Sequence, residues 1–439
     1  MSFVSHCVLH IEDEKLFISS SRVERRRMKA LEYTMDEGAA ARVAGYFERV
    51  GKHMPLPQHR ASFATFAFGI LADGDRKSVE PIAARASGGD KLVAERTQDR
   101  LLHFLREAPW SDREVRREAA RYAIEAMSAR EPITALIIDD TGFLKQGTQS
   151  PGVQRQYTGS AGKIANCQIG VSLCIATATE QVPIDFELYL PKAWTDDVAR
   201  RERARIPESV VFKTKIELAM DLIARAVEDG IPGEVVLADA AYGRARAFRD
   251  FVRNQQLDYA VAVDADGRVW LLDESGRDPD AVTVSHLGVE LGQRAFRKIT
   301  WRDGTRPHKK LSSRFAFRRV KPAFDGGTEP MLREPAWLVI EWPEGESRPT
   351  KFFLTSLRRR MSKKEIVRTI KERWKTERAY EELKGELGLD HFEGRSYTGW
   401  HHHISVVLCC YAFVVAERVR AFSPQSRRPG QADTVSLAA

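Results

Sequence analysis

The sequence predicts an α/β fold, a mixed sheet flanked by helices, with a helical N-terminal domain in front and a β-rich subdomain inserted. Three observations predict it. Two apolar runs, Thr134–Asp139 and Val235–Asp239, each end in aspartate, the pattern of buried strands. Apolar residues recur at helical steps through most of the stretch from Thr34 to Arg130. From Asp264 to Lys351 the texture changes to short alternating runs separated by Gly, Asp and Pro, and strand-like sequence resumes at Phe352.

The chain has 439 residues, 43% of them hydrophobic and 9% aromatic, which excludes an intrinsically disordered protein and leaves room for two or three domains. No run of 18 apolar residues occurs; the longest, Ile404–Ala416, reads as a buried core helix, not a membrane span. Five cysteines (Cys7, Cys167, Cys174, Cys409, Cys410) are too few for a disulfide framework, and none lies in a C-x-x-C pair, so zinc-ribbon and thioredoxin-like chemistry are disfavoured. Glu12, Asp13 and Glu14 in the first residues exclude a secretory signal, pointing to a reducing cytoplasmic setting. Met28 offers an alternative start, and residues 1–30 are expected to be a disordered extension.

The helical domain, residues 31–130, is built from five expected helices. Glu37–Val50 presents Ala40, Val43, Ala44 and Phe47 on one face; Ala61–Leu71 is aromatic-rich; Lys77–Ala84 is interrupted by Pro81; Leu92–Leu105 and Ser111–Met127 follow, the last opening with a Ser111/Glu114 capping spacing. The core is expected over 131–263 and 352–420. After the first acid-ending run, Ile169–Ala176 and Val182–Leu190 read as a hairpin, Lys213–Glu228 as an amphipathic helix, Arg244–Arg253 as another helix, and Tyr259–Val263 as a strand. Residues 264–351 form the β-rich insertion. Beyond the strand Phe352–Thr355, Ser362 begins a long helix reaching about Leu387, and 421–439 is expected to be a flexible tail.

The formal charge of +8 is concentrated. Between Leu354 and Arg378 stand ten basic and three acidic residues, a net of +7. Such a stripe is the footprint of a phosphate-binding surface. The two runs ending at Asp139/Asp140 and Asp239 place acids at strand ends, where side chains of an α/β sheet converge on one crevice. In the long helix, Arg373, Glu377, Glu381 and Lys384 are spaced by 4, 4 and 3 and share one face, flanked by Trp374 and Tyr380. Three carboxylates from two strand ends and a helix make a site for two divalent ions, Mg²⁺ or alternatively Mn²⁺, suited to phosphoryl transfer. His401-His402-His403 cannot chelate one ion from a regular helix, because consecutive residues point about 100° apart. Packing or DNA contact suits them better.

These residues resemble bacterial insertion-sequence transposases with a DDE triad on a ribonuclease-H-like fold. The likeness lies in Ile137-Ile-Asp-Asp-Thr-Gly-Phe143, Leu237-Ala-Asp-Ala-Ala-Tyr-Gly243 and Arg373-x3-Glu377-x6-Lys384, the last similar to a Y-x2-R-x3-E-x6-K signature whose tyrosine position falls on Ile370. The stretch from Gly388 to His403 also looks like one subgroup, and the likeness spans roughly Leu31 to Arg420. It implies a ribonuclease-H-like core with Asp139, Asp239 and Glu377 as catalytic, metal-binding acids, Asp140 standing as the alternative to Asp139. It further implies DNA contacts from Arg373 and Lys384, and Trp374 or Trp400 stacking on a base near the cut end. Arg155, Gln156 and Tyr157 are additional DNA-contact candidates.

The activity so implied is that of a cut-and-paste transposase. It would bind terminal repeats through its helical domain, cleave element ends and transfer 3′-hydroxyl strands into target DNA, as a homodimer in the DNA complex, within the bacterial nucleoid. A metal-dependent nuclease without strand transfer and a non-catalytic DNA-binding descendant are the alternatives.

Overall fold

The structure, a computed structural model, describes residues 8–12, 15–19, 38–272, 281–303, 310–324, 334–358 and 360–421. The described residues separate into two compact units, one within Ile133–Glu382 and Phe392–His401, the other comprising those before residue 133, Leu383–His391 and those from His402 onward.

The helical unit opens with a hairpin, β1 (Val8–Glu12) and β2 (Lys15–Ser19), paired antiparallel and closing at Glu12 and Lys15. The expected extension thus contains regular structure. Its physical reason is visible in the chain, where Val8-Leu-His-Ile11 and Leu16-Phe-Ile18 are apolar-rich runs of strand length. Helices α1 (Ala39–Gly51), α2 (Pro57–Leu71), α3 (Val79–Ala86), α4 (Lys91–Arg106) and α5 (Asp112–Ser128) follow the five expected positions closely. Pro57 starts α2 at a position whose N–H needs no partner, and Pro81 falls in the first turn of α3, where it does no harm. The Ser111 hydroxyl accepts the Glu114 N–H at the start of α5, as the spacing predicts.

The other unit begins with β3 (Ala135–Leu144), β4 (Gln154–Thr158), β5 (Lys163–Ala176) and β6 (Gln181–Tyr189). Short helices α6 (Lys192–Thr195) and α7 (Val198–Ala204) lead to α8 (Lys215–Glu228), whose Thr214/Glu217 capping box fixes its start. Then come β7 (Val235–Ala238), α9 (Ala240–Gly243), α10 (Arg246–Asn254) and β8 (Asp258–Val263). The β-rich stretch supplies β9 (Arg268–Leu271), β10 (Val282–Thr283), α11 (Val284–Glu290), β11 (Arg297–Asp303), β12 (Lys310–Pro322) and β13 (Ala336–Trp342). The helix α11 in its midst is not expected from the sequence. The unit closes through β14 (Lys351–Thr355), α12 (Lys363–Lys371) and α13 (Trp374–Gly385).

Among the described residues these strands form one mixed sheet in the order β10-β9-β12-β13-β14-β8-β7-β3-β5-β4, with β11 on β12 and β6 on β5. The β-rich stretch is therefore a continuation of the core sheet, not a separate one. Strand β14 pairs antiparallel with the outer edge of β8, and β13, β12 and β9 each cover the edge before them, which leaves fewer unpaired backbone groups. One face of the sheet buries Ala135, Ile137, Cys174, Val235, Leu237, Ala260, Phe315, Phe317 and Val339 beneath Ile366, Val367 and Ile370 of α12. That packing takes Ile370, at the signature's tyrosine position, into the core.

The long helix expected from Ser362 is broken. Between α12 and α13, Glu372 and Arg373 form a turn, with i→i+3 bonds from Lys375 N–H to Glu372 O and from Thr376 N–H to Arg373 O. Buried polar contacts hold α13 in its new direction. The Lys375 ammonium donates to the carbonyls of Thr177 and Ala178 and pairs with Glu372; Gln181 donates to the Thr376 hydroxyl at 2.6 Å; and the Tyr380 hydroxyl meets Ser172 Oγ at 2.5 Å. Burying that lysine requires such saturation of its donors.

The last helix, α14 (Tyr397–Ala421), is apolar on all sides, and from His402 onward it belongs to the helical unit, not to the core to which residues up to 420 were expected to belong. An all-round apolar helix has to be enclosed; here it packs with Tyr46, Phe66 and Tyr122. Among the described residues no helix is long and apolar enough to cross a membrane. Cys167, Cys174, Cys409 and Cys410 are buried free thiols; Cys7 and the expected tail from residue 422 lie outside the described residues.

Candidate active site

Strand register brings the first two acids together. β3 and β7 run parallel with Ile137 opposite Leu237, so Asp139 and Asp239, each two residues on, lie close enough for their charges to interact. Asp239 follows the end of β7, whereas Asp139 is mid-strand because β3 runs on to Leu144, not at the strand end expected. The same period of two puts both on the face that carries Ile137 and Leu237. Asp140 points the other way. Its carboxylate takes the Lys215 ammonium from the start of α8 at 3.0 Å and the Tyr242 hydroxyl at 3.4 Å.

Each acid is held from the backbone. Asp139 Oδ1 accepts the N–H of Asp140 at 2.9 Å, and Asp239 caps α9 by accepting the N–H groups of Ala241 at 2.9 Å and Tyr242 at 3.4 Å. The capping turn lies directly on β8: a Cβ on Gly243 would stand 2.0 Å from the Ala262 carbonyl oxygen, so glycine is required by close approach. Tyr242 and Lys215 are functional neighbours the sequence reading missed. Tyr242 lies within Leu237-Ala-Asp-Ala-Ala-Tyr-Gly243, where nothing local ties its hydroxyl to Asp140; Lys215 is 75 residues from Asp140, with no local signal.

The break between α12 and α13 delivers Arg373 to these acids. Its Nη1 donates to Asp139 Oδ2 at 2.8 Å, and its Nη2 lies 3.6 Å from Glu377 Oε1. Glu377 stands on the first turn of α13 with a side chain 69% exposed. Burial pushes the Asp139 carboxyl up to about 7 despite Arg373, helped by the neighbouring charges of Asp239 and Asp140. Asp239 is raised as well, again mainly by burial, with Arg373 opposing.

A metal-free stability prediction follows. A carboxyl raised from 3.8 to about 7 binds more protons folded than unfolded between those values, so stability falls as pH rises from about 4 to about 7 and is level above. Urea midpoints measured against pH in chelator should show that slope, and Asp139→Asn should flatten it.

The donors fit a hard divalent cation. Asp139 and Asp239 offer only oxygen, and one guanidinium does not offset their burial; Mg²⁺ is commonly held by one or two carboxylates with the remainder from water and substrate. Among the described residues no three acid, His or Cys side chains already surround one point, since Glu377 is turned outward beside Arg373.

Other expected contacts divide. Trp374 is 40% exposed with the Arg302 guanidinium 5.0 Å from its ring centre. Trp400 is buried against Phe143 and Phe186, a packing role that removes it from base stacking. Arg155 and Tyr157 lie exposed on the edge strand β4, and Gln156 turns inward to donate to the Cys167 carbonyl. Lys384 is half-buried in the last turn of α13, within the stretch grouped with the helical unit. The three histidines part company as helix geometry demands: His401 faces Glu187, His402 stacks on Trp110 between the carbonyls of Leu105 and Trp110, and His403 meets the Gly388 carbonyl. The basic stripe is also split. Lys371, Arg373, Lys375 and Arg378 are spent on internal acids or carbonyls, while Arg358, Arg360, Lys363, Lys364 and Arg368 are exposed.

A family model for the DDE superfamily endonuclease matches residues 49–308, more than half of the chain; it takes in Asp139 and Asp239 and ends before Glu377. The probable transposase for insertion sequence element IS701 of Microchaete diplosiphon is 26% identical over 366 residues, 82% of this chain and 85% of that protein. Among solved structures, a piggyBac transposase synaptic complex with hairpin DNA aligns at a TM-score of 0.36 and 10% identity over 84% of this chain and 74% of its own. The NurA nuclease from Sulfolobus solfataricus aligns at 0.23 and 11% over 58% and 80%. The chain belongs to the DDE superfamily of endonucleases and is a DDE transposase of the insertion-sequence type.

Proposed function

We propose that the chain cuts the ends of its element and joins the freed 3′-hydroxyls to target DNA, with Asp139, Asp239 and Glu377 as the acids of one centre. The observation carrying this reading is the parallel register that sets Asp139 beside Asp239, with Arg373 linking them to the turn that bears Glu377. The opposite orientation of Asp140, committed to Lys215, supports Asp139 as the first acid.

The three carboxylates would hold two divalent ions, Mg²⁺ or Mn²⁺, which when bound activate an attacking oxygen and stabilise a leaving one. The chain's own residues do the rest. Rigid strands fix two acids, and the buried anchors of α13 fix the direction from which Glu377 approaches. Arg373, Lys384, Arg155 and Tyr157 would grip the DNA backbone, while the exposed ring of Trp374 gives a stacking face beside the site. In this reading the helical unit binds the terminal repeats. Joining two ends in one event requires two such centres, hence a dimer in the DNA complex.

The exposed charges of α12 should dominate the salt response. Lys364→Gln with Arg368→Gln is expected to lower the slope of log affinity against log salt by about 2, roughly 1 per phosphate contact; binding titrations across salt concentrations check it.

The test of function is an end-joining assay. Labelled duplexes from both flanks of the gene are incubated with plasmid and Mg²⁺. Cleavage followed by covalent joining to plasmid is expected; cleavage without joined product would reduce the protein to a nuclease, and binding alone to a DNA-binding descendant.

A further inference from the structure

We propose that Arg373 keeps the acid centre closed to divalent cations until DNA draws the guanidinium away, so that metal and DNA load the site together. The inference rests on the reading of Asp139, Asp239 and Glu377 as metal ligands and adds a regulation to it.

One guanidinium serves three acids. Arg373 hydrogen-bonds Asp139 at 2.8 Å, stands 3.6 Å from Glu377, and is the main positive neighbour of Asp239. It therefore sits where the cations would, and it occupies the Asp139 oxygen, Oδ2, that is not already bonded to the backbone. An arginine does not step aside by losing its proton, because a guanidinium stays protonated in proteins. It has to be displaced bodily.

The chain permits that movement. Arg373 lies in the two-residue turn between α12 and α13, its side chain is 28% exposed, and the neighbouring residues Lys375 and Thr376 anchor the helix without it. A phosphodiester is the fitting attractor, since its paired oxygens match the guanidinium fork as a carboxylate does. The exposed Arg368, in the last turn of the preceding helix, offers a further phosphate contact near this turn. Linkage is then reciprocal: if DNA removes Arg373 from Asp139, DNA tightens metal binding by the same factor as metal tightens DNA binding. Without DNA, the centre stays poor in metal and idle.

The experiment measures Mn²⁺ bound by the full chain, from the loss of the free-ion magnetic resonance signal, with and without a short duplex from the gene's flank. Wild type should bind Mn²⁺ about tenfold more tightly with DNA, within the usual range of coupled sites. Arg373→Gln should bind it about tenfold more tightly than wild type without DNA, and gain little on DNA addition. Arg373→Lys should fall between wild type and Arg373→Gln, because an unforked ammonium cannot face the acids through two nitrogens at once, and Arg368→Gln should weaken DNA binding without tightening Mn²⁺. If Arg373→Gln binds no more tightly while Asp139→Asn still abolishes binding, the metal reading survives and the gate is overturned. The wild-type arm needs no substitution: equal affinity with and without DNA also overturns it. Absence of any Mn²⁺ binding sinks both.

Discussion

Glu377→Ala is expected to lower metal-dependent cleavage by at least ~10³-fold, with duplex binding in Ca²⁺ within about twofold of wild type. The contrast is large because Glu377 contributes little to folding. Its side chain is 69% exposed and its ion pair with Arg373 is a loose 3.6 Å contact, so its removal belongs with surface substitutions worth about 0.5 kcal/mol or less. Asp139→Asn should match the loss, and Asp140→Asn should not. Asp140 lies on the other face with Lys215 and Tyr242, so its substitution costs on the order of 1 kcal/mol of stability from weakened polar contacts and leaves the centre's acids intact. Cleavage rates on labelled flank DNA for the three variants, with binding measured in parallel, check this. Equal losses at 139 and 140 would refute the assignment of faces.

Glu341→Ala should destabilise the sheet-bearing unit by about 3–5 kcal/mol, the usual cost of leaving a buried charge without its partner. Glu341 on β13 is 3% exposed and bonds the Lys371 ammonium at the end of α12, which also lies 4.9 Å from the Trp301 ring centre and 5.7 Å from those of Phe315 and Phe353. Burial already lowers the Lys371 pKa, with Glu341 opposing. Without the carboxylate that ammonium has rings around it and no anion. Adding Lys371→Met should recover most of the loss, because a thioether of similar length suits the apolar surroundings. Urea unfolding of the two singles and the double, read as a cycle, decides it; additive losses would mean the pair is not coupled. The same packing seats α12 and so sets where its C-terminal turn presents Arg373.

Local chemistry made much of this architecture readable. The apolar runs before Asp139 and Asp239 announce buried strands whatever surrounds them, and Ser111 and Thr214 mark helix starts with their own hydroxyls. Adjacent histidines on a helix had to diverge, and they do. What escaped the sequence is long-range. Neither glycine nor proline marks the break at Glu372 and Arg373, which is held instead by carbonyls at Thr177 and Ala178 nearly two hundred residues earlier. The short strands after Asp264 look like an independent block until their pairing through β14 to β8 is known. Lys215 carries no mark of its service to Asp140. The basic stripe misled in part: a residue count cannot tell Lys371 and Lys375, consumed in the interior, from Lys364 and Arg368, which face outward.

The centre itself is tested most directly by locating the cation on the polypeptide. Fe²⁺ accepts oxygen donors and binds next to Mn²⁺ in the affinity order of divalent metals; with ascorbate and peroxide it breaks nearby backbone. With flank DNA present, the full chain should be cut close to Asp139, Asp239 and Glu377, excess Mg²⁺ should suppress all three cuts together, and Asp139→Asn should remove them. Mg²⁺-sensitive cuts elsewhere, or at Asp139 and Asp239 but never at Glu377, would contradict a three-acid centre.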